Sequence, residues 1–305
     1  MRKILVSMVG CITVFCAAAG AQQDLGRVIP ENQAIRVVAL GDFGSGDKNQ
    51  LAVAKALALR HGRAPFDLGI SLGDNFYRCG IKSASDSGWK TRWEDLYTPL
   101  GITFFASLGN HDYGHPPIIC PGKAVSPDAE LQYTAHSKSW RMPARYYTFV
   151  AGHARFFAID TEGWSSKQAA WLKKILVETQ NEPGVQWRIV YGHHPMYTSG
   201  VHLNERRIGA LRRELSGLFK ETKVDMYIAG HDHDMEHLRA NGIDYLIAGT
   251  GGAKLRGFHS LTPESAFHAS TFGFLDLSID QHTLTAKFLD TKLASLEKPE
   301  MQVKK

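Results

Sequence analysis

Apolar residues along the chain fall into short continuous runs separated by stretches with apolar positions at helical spacing. That alternation predicts buried strands joined by helices. Residues 35–40 (IRVVAL), 68–72 (LGISL) and 103–108 (TFFASL) are runs too short for helices and read as buried strands. Between them, 49–60 (NQLAVAKALALR) is helical in period, and 89–97 reads as a second helical segment. Further on, strands are expected at 146–150, 155–160, 187–191, 224–229 and 245–248, and a final hairpin at 271–279 and 283–289. Amphipathic helices are expected at 167–179 and 206–220. The pairs Val53 with Leu57, Leu172 with Leu176 and Leu211 with Leu215 stand four apart and mark core stripes. Residues 28–33 read as a polar lead-in, and the chain from Lys292 onward as a charged tail. No internal repeat, low-complexity block or linker interrupts the pattern, so a single α/β domain is the simplest account.

The strand endings carry more information than the strands. Five of them run into Gly followed by Asp, Asn or His: Gly41-Asp42, Gly73-Asp74, Gly109-Asn110, Gly192-His193 and Gly230-His231. Gly-Asp after one strand is commonly just a turn. Five such endings, all with metal-ligating side chains, point to one shared site, because ligands of open α/β sheets gather at the carboxyl ends of strands.

Composition narrows the class. The chain has 305 residues, 44% hydrophobic and 21% charged, enough to bury a core and too apolar for wholesale disorder. The formal net charge of +5 is spread along the chain with no basic run, so nucleic-acid binding is not expected. Fourteen histidines fit metal or proton chemistry near neutral pH. At the N-terminus, Arg2 and Lys3 precede an apolar run (4–15) and the small-residue pattern Ala19-Gly20-Ala21. This reads as a signal peptide cleaved after Ala21, leaving one domain over 22–305. The apolar run is too short to span a bilayer permanently, and Met8-Val9-Gly10 before Cys11 is a poor lipobox. An exported, periplasmic or secreted chain without stable membrane insertion is expected, and a monomer. Of its four cysteines only Cys79 and Cys120 survive cleavage; in an exported chain they can pair, the alternative being two reduced thiols.

The loops extend to Gly41-Asp42-Phe43-Gly44, Gly73-Asp74-Asn75-Phe76-Tyr77, Gly109-Asn110-His111-Asp112, Tyr191-Gly192-His193 and Gly230-His231-Asp232-His233. Carboxylates, imidazoles, an amide and a phenol suit Fe, Mn and Zn, and the thiolates of a structural zinc site are missing from the set. Such a set can hold two ions close together, one carboxylate bridging them, to activate water and clamp a phosphoryl group.

These motifs, in this order over 37–252, resemble the metallophosphoesterase superfamily, and the Tyr of Gly-Asp-Asn-Phe-Tyr resembles its purple acid phosphatase branch. The size is similar to the short, tartrate-resistant type. The resemblance implies a four-layer α/β sandwich, two mixed sheets flanked by helices, with the metals at the strand ends. It implies Fe(III) on Asp42, Tyr77 and His233, a divalent ion (Fe, Zn or Mn) on Asn110, His193 and His231, and Asp74 bridging. It implies that His111 and His202 assist at the phosphate or the leaving group, with a metal-bound hydroxide attacking phosphorus and no phosphoenzyme. His194 is expected as an outer neighbour or solvent-facing, and His115, His237, His259 and His268 as surface or satisfied residues. Asp112 is expected to orient its loop, Asp160 to cap, Asp232 to point away, and 249–252 to turn against the metal loops. The function so implied is an acid phosphatase acting on small-molecule or phosphoprotein monoesters. The alternatives are a phosphodiesterase or nucleotide-processing enzyme on the same scaffold, and a non-catalytic metal- or phosphate-binding protein.

Overall fold

The computed structural model describes residues 23–115, 118, 120 and 125–305; the signal peptide and cleavage site expected from the sequence lie outside these. Strands β1 (Gln23–Ile29), β2 (Ile35–Leu40), β3 (Leu68–Leu72), β4 (Thr103–Ser107) and β5 (Trp140–Arg141) come first, with helices α1 (Lys48–Arg63), α2 (Asp95–Tyr97) and α3 (Asp128–Tyr133) among them. Then follow β6 (Tyr147–Ala151), β7 (Ala154–Ala158), α4 (Ser166–Glu178), β8 (Trp187–Tyr191), α5 (Arg206–Glu221) and β9 (Met226–Ala229). The chain closes with β10 (Met235–Ala240), β11 (Ile243–Ala248), β12 (Ser265–Ala269), β13 (Gly273–Ile279), β14 (Thr283–Asp290) and β15 (Met301–Lys304).

Two mixed sheets result. One has the order β1-β6-β7-β8-β9-β11-β10-β12, the other β15-β14-β13-β2-β3-β4-β5. The inner faces meet in one core that includes Val37, Ile70, Phe104, Phe149, Ile189 and Leu277, all fully buried. Outside the first sheet, Leu172 and Leu176 of α4 and Leu211, Leu215 and Phe219 of α5 cover Val190, Tyr227 and Tyr245. Each such buried side chain contributes about 2 kcal/mol of transfer free energy, set against the entropy of ordering it. Helix α1 starts because Asp47 accepts hydrogen bonds from the amides of Asn49 and Gln50, and it buries Val53 and Leu57. All three expected core pairs are therefore in place.

The site follows from the parallel pairing. Strands β2, β3 and β4 run parallel in one sheet; β7, β8, β9 and β11 run parallel in the other. The register Leu40↔Ser71 and Leu72↔Ser107 brings the turns after β2, β3 and β4 side by side. The turns after β8 and β9 face them from the other sheet. Cys79 and Cys120 form a disulfide with Cα atoms 5.6 Å apart, tying the Tyr77 loop to the segment after His111.

Several edges differ from the expectation. The stretch before Ile35 is not a bare lead-in, because β1 pairs in parallel with β6 at the sheet edge. The tail is not free either: β15 pairs with β14. His237 anchors this end, with Nδ1 2.7 Å from Glu297 Oε1 and Nε2 2.8 Å from Asp244 Oδ1, in a buried position. Burial lowers its pKa, but the two carboxylates outweigh burial and raise it above the usual histidine value. The stability this gives is full below the unfolded pKa, about 6.5, and is lost as pH rises through the raised folded value. We therefore expect His237→Gln to lower unfolding free energy by on the order of 2 kcal/mol at about pH 5.5, and by much less at about pH 9. Denaturant titrations at the two pH values check this; an equal loss at both refutes the ion-pair account.

Candidate metal centre

The structure brings all seven expected ligands together in two groups. In the first, the Tyr77 hydroxyl lies 2.9 Å from Asp42 Oδ1, 2.8 Å from Asp74 Oδ2 and 3.1 Å from His233 Nε2. His233 Nε2 is also 3.3 Å from Asp42 Oδ1. In the second, Asn110 Oδ1 lies 3.0 Å from His193 Nε2 and 3.1 Å from His231 Nδ1, with those two nitrogens 3.2 Å apart. Asp74 joins the groups: Oδ2 faces Tyr77, and Oδ1 lies 3.4 Å from His193 Nε2.

Proton counting shows that these contacts call for cations. His233 Nδ1 lies 2.6 Å from the Lys254 carbonyl and His193 Nδ1 lies 2.8 Å from the Leu72 carbonyl. A carbonyl only accepts, so both rings spend their Nδ1–H outward and turn an Nε2 lone pair inward. Asn110 donates through Nδ2 to the His115 carbonyl at 3.3 Å, which leaves its oxygen facing in. His231 is turned the other way: Nδ1 faces the group, and Nε2 lies 2.7 Å from Glu205 Oε2. The Tyr77 hydroxyl has one proton for two carboxylates. The inner atoms are thus lone pairs against lone pairs at about 3 Å, an arrangement that a cation makes favourable.

The electrostatics agree. Burial, then the Asp42 and Asp74 carboxylates, push the Tyr77 phenol well above its usual pKa, so a phenolate here needs a highly charged ion. Burial raises the Asp42 carboxyl, but His233 and His193 outweigh it and hold it below the ordinary value. Burial opposes protonation of His193, but Asp74 and Asp42 draw its pKa up: the site attracts positive charge. A hard-oxygen group beside a nitrogen-rich one fits two ions of different character.

The backbone is bent to serve this geometry. Asp42, Asp74 and His231 adopt φ of 57°, 52° and 70°, the left-handed region that costs a non-glycine residue about 1–2 kcal/mol. Hydrogen bonds hold the corners: the Asp42 amide donates to the Gly73 carbonyl and the His231 amide to Asp42 Oδ2. A Cβ at Gly109 would lie 2.2 Å from Asp74 Oδ1, and one at Gly230 would lie 2.4 Å from Asp42 Oδ2, so both positions must be glycine. The turn over 249–252 packs against these loops as expected; a Cβ at Gly249 would meet the Asp232 carbonyl.

The remaining histidines separate clearly. His111 is buried beside Tyr77, ring centroids 4.4 Å apart, with Nδ1 on the Arg78 carbonyl and Nε2 3.9 Å from Asp74 Oδ2. His202 stacks on His231 at 4.2 Å; its Nδ1 lies 2.7 Å from Asp232 Oδ1 and its Nε2 2.8 Å from Arg256 Nη1. Arginine only donates, so the His202 Nε2 lone pair is engaged. His194 is buried, not solvent-facing: Nδ1 meets Thr161 Oγ1 at 2.8 Å and its ring packs on His231. Half-exposed His115 meets Glu162 Oε1 at 2.7 Å; His259 and His268 are exposed, as expected. Asp112 accepts from the amides of Asn75, Phe76 and Gly109, so it orients its loops. Burial and Asp74 raise its pKa to about 7. Asp160 caps by accepting from the Gly163 amide, and Asp232 turns to Thr198 and His202.

Sequence reasoning missed four residues here. Glu130 accepts from Asn75 Nδ2, and Glu130, Glu162, Glu205 and Arg256 all sit outside every motif. Their only sequence signal is a polar residue beside an expected helix or metal loop. Over the first group, Tyr77, Arg78, Arg92, His111, His233, Lys254 and Arg256 line an open cavity of about 530 Å³ with a cationic rim.

A family model, calcineurin-like phosphoesterase, matches residues 35–235. Purple acid phosphatase 4 of Arabidopsis thaliana is 27% identical over 97% of this chain and 93% of its own length. Purple acid phosphatase 17 of the same plant is 30% identical over 73% of this chain and 70% of its own. Tartrate-resistant acid phosphatase type 5 of Mus musculus is 27% identical over 71% of this chain and 72% of its own. Among solved structures, GAP50, described as the anchor in the inner membrane complex of Plasmodium, superposes with a TM-score of 0.73 at 25% identity, covering 89% of this chain and 88% of that one. A lupin purple acid phosphatase shares the fold, with a TM-score of 0.69 over 90% of this chain and 54% of that longer one. With the motif order, the Tyr77 position and the two-sheet frame, these findings place the chain in the calcineurin-like phosphoesterase family, within its purple acid phosphatase branch.

Proposed function

We propose that this chain is an exported acid phosphatase that hydrolyses phosphate monoesters at a two-metal centre. The observation that carries the reading is the pair of inward-facing donor groups sharing Asp74. Fe(III) is assigned to Asp42, Asp74, Tyr77 and His233, because a buried phenol between two carboxylates needs a trivalent partner to ionise. A divalent ion (Fe, Zn or Mn) is assigned to Asp74, Asn110, His193 and His231. When bound, the ion pair supplies an activated water and a clamp on phosphoryl oxygens.

The chain's own groups do the rest. His111 spends its Nδ1–H on the Arg78 carbonyl, so donation from Nε2 to a phosphoryl or leaving oxygen needs a second proton on the ring. His202 has no Nε2 proton to give while Arg256 occupies that nitrogen; it reaches a leaving group only once substrate displaces the guanidinium. Arg78, Arg92 and Lys254 on the cavity rim suit an anionic substrate. Among the described residues no helix is long and apolar enough to cross a membrane.

Two alternatives have distinct signatures. The similarity to GAP50, described as an anchor, keeps a binding protein in view as an alternative, but the seven inward-facing ligands favour turnover. The test compares 4-nitrophenyl phosphate with bis(4-nitrophenyl) phosphate on one metal-quantified preparation at about pH 5. We expect monoester kcat/KM to exceed diester kcat/KM by about tenfold or more, about 1.4 kcal/mol of discrimination. A diester preference refutes the monoesterase reading in favour of the diesterase. Two bound ions with no turnover on either ester refute catalysis.

A further inference from the structure

Each of the three ligand histidines needs its outward nitrogen to carry the proton, and the chain meets that need in two ways. His193 and His233 donate to main-chain carbonyls, of Leu72 and Lys254. His231 instead faces a side chain, Glu205 Oε2, at 2.7 Å. Glu205 stands at the N-cap of α5, where a carboxylate ordinarily accepts from its own helix's first amides, yet its side chain makes no such bond. It is turned away from α5 toward His231. Its other oxygen lies 3.9 Å from His194 Nε2, itself 3.6 Å from Glu162 Oε2. The rings of His194 and His202 stand 4.3 Å and 4.2 Å from that of His231 and hold its tilt; the carboxylate supplies the direction of its proton.

We propose that Glu205 is a positioning residue for the divalent ion. By taking the Nε2–H of His231 it fixes the tautomer that presents Nδ1 to Asn110 and His193, and its negative charge makes that nitrogen a stronger donor. The charge falls where it is needed, since the second group otherwise has one shared carboxylate and three neutral donors. The first group needs no such help: its ligands are already two carboxylates and a phenol. The selectivity follows: Glu205 acts on the second ion and leaves the first untouched.

The donor atoms of His194, Glu205 and His231 lie within 4.8 Å of one another and would also admit a third ion. Direct Glu205–His231 contact at hydrogen-bond distance favours the positioning role.

The proposal rests on the two-ion reading of the centre, and its test separates the two. Metal-free full chain is titrated calorimetrically with Zn(II) alone, for wild type, Glu205→Ala and Glu205→Gln, with circular dichroism confirming the fold of each. We expect two ions per wild-type chain. In Glu205→Ala one affinity should fall by about 10- to 100-fold while the other holds, and Glu205→Gln, which keeps an acceptor oxygen but not the charge, should recover only part of the loss. Unchanged affinities in Glu205→Ala, or equal losses at both sites, overturn the positioning role while sparing the two-ion centre. Three ions in wild type falling to two in Glu205→Ala overturn it in favour of an ion-binding triad. A wild-type chain that takes up no Zn(II) overturns both.

Discussion

Asp74→Ala is expected to reduce phosphomonoester hydrolysis about a thousandfold or more, on the order of 4 kcal/mol of transition-state stabilisation, without unfolding the protein. Asp74 is the one side chain with an oxygen in each donor group, so its removal opens both at once. The metal-free fold should tolerate the change. In the absence of ions Asp74 is buried beside Asp42 and Asp112, and deleting one carboxylate relieves like-charge repulsion while leaving the His111 amide without its acceptor. Metal at a hundred times its Kd stabilises a folded chain by about 2.7 kcal/mol. That increment should be present in wild type and missing in the variant. Activity, metal content and melting curves with and without metal check the three parts together. A folded Asp74→Ala variant with wild-type turnover would remove the assignment.

Tyr77→Phe carries the second large effect, and it is optical. A phenolate on Fe(III) gives a visible charge-transfer band, and Tyr77 is the only phenol whose oxygen enters the donor groups among the described residues. Purified wild type should absorb in the visible, and Tyr77→Phe should lose the band. The ring itself should stay packed on His111, so the fold is retained. Because Asp42, Asp74 and His233 remain, iron should be weakened rather than abolished. A colourless wild type holding Zn or Mn would keep the two-ion centre and remove the ferric assignment, and would bring the diesterase reading level with the monoesterase.

The parts legible in the sequence are those where one residue type has one job. Buried parallel strands must be short apolar runs, so β2, β3, β4 and β8 stand out, and the turns after them must carry glycine and ligands. The illegible parts lie at sheet edges. β1 (QDLGRVI) is mostly exposed, and β15 is four residues long. β10 (MEHLRA) is hidden for another reason: Glu236 and His237 are both buried, Glu236 Oε2 accepting from the Ser199 amide and His237 meeting Glu297, so neither face reads as apolar. The site divides the same way. Ligands were legible because they sit in the strand-end turns. Glu205, Glu130 and Arg256 were not, because each arrives from a segment whose position is set by the tertiary fold.

The ligand turns come from opposite sheets: Asp42, Asp74, Tyr77 and Asn110 follow strands of one, and His193, His231 and His233 follow strands of the other. Each donor group therefore draws on both. An ion in either group is a cross-link over the seam between two halves that are otherwise joined by apolar packing, a few hydrogen bonds such as His231 N–H to Asp42 Oδ2, and the connecting chain. Two such rivets, sharing Asp74, sit at the strand ends where the turns of the two layers meet. Loading the centre thus completes a reaction site and, in the same step, couples the unfolding of one half to that of the other.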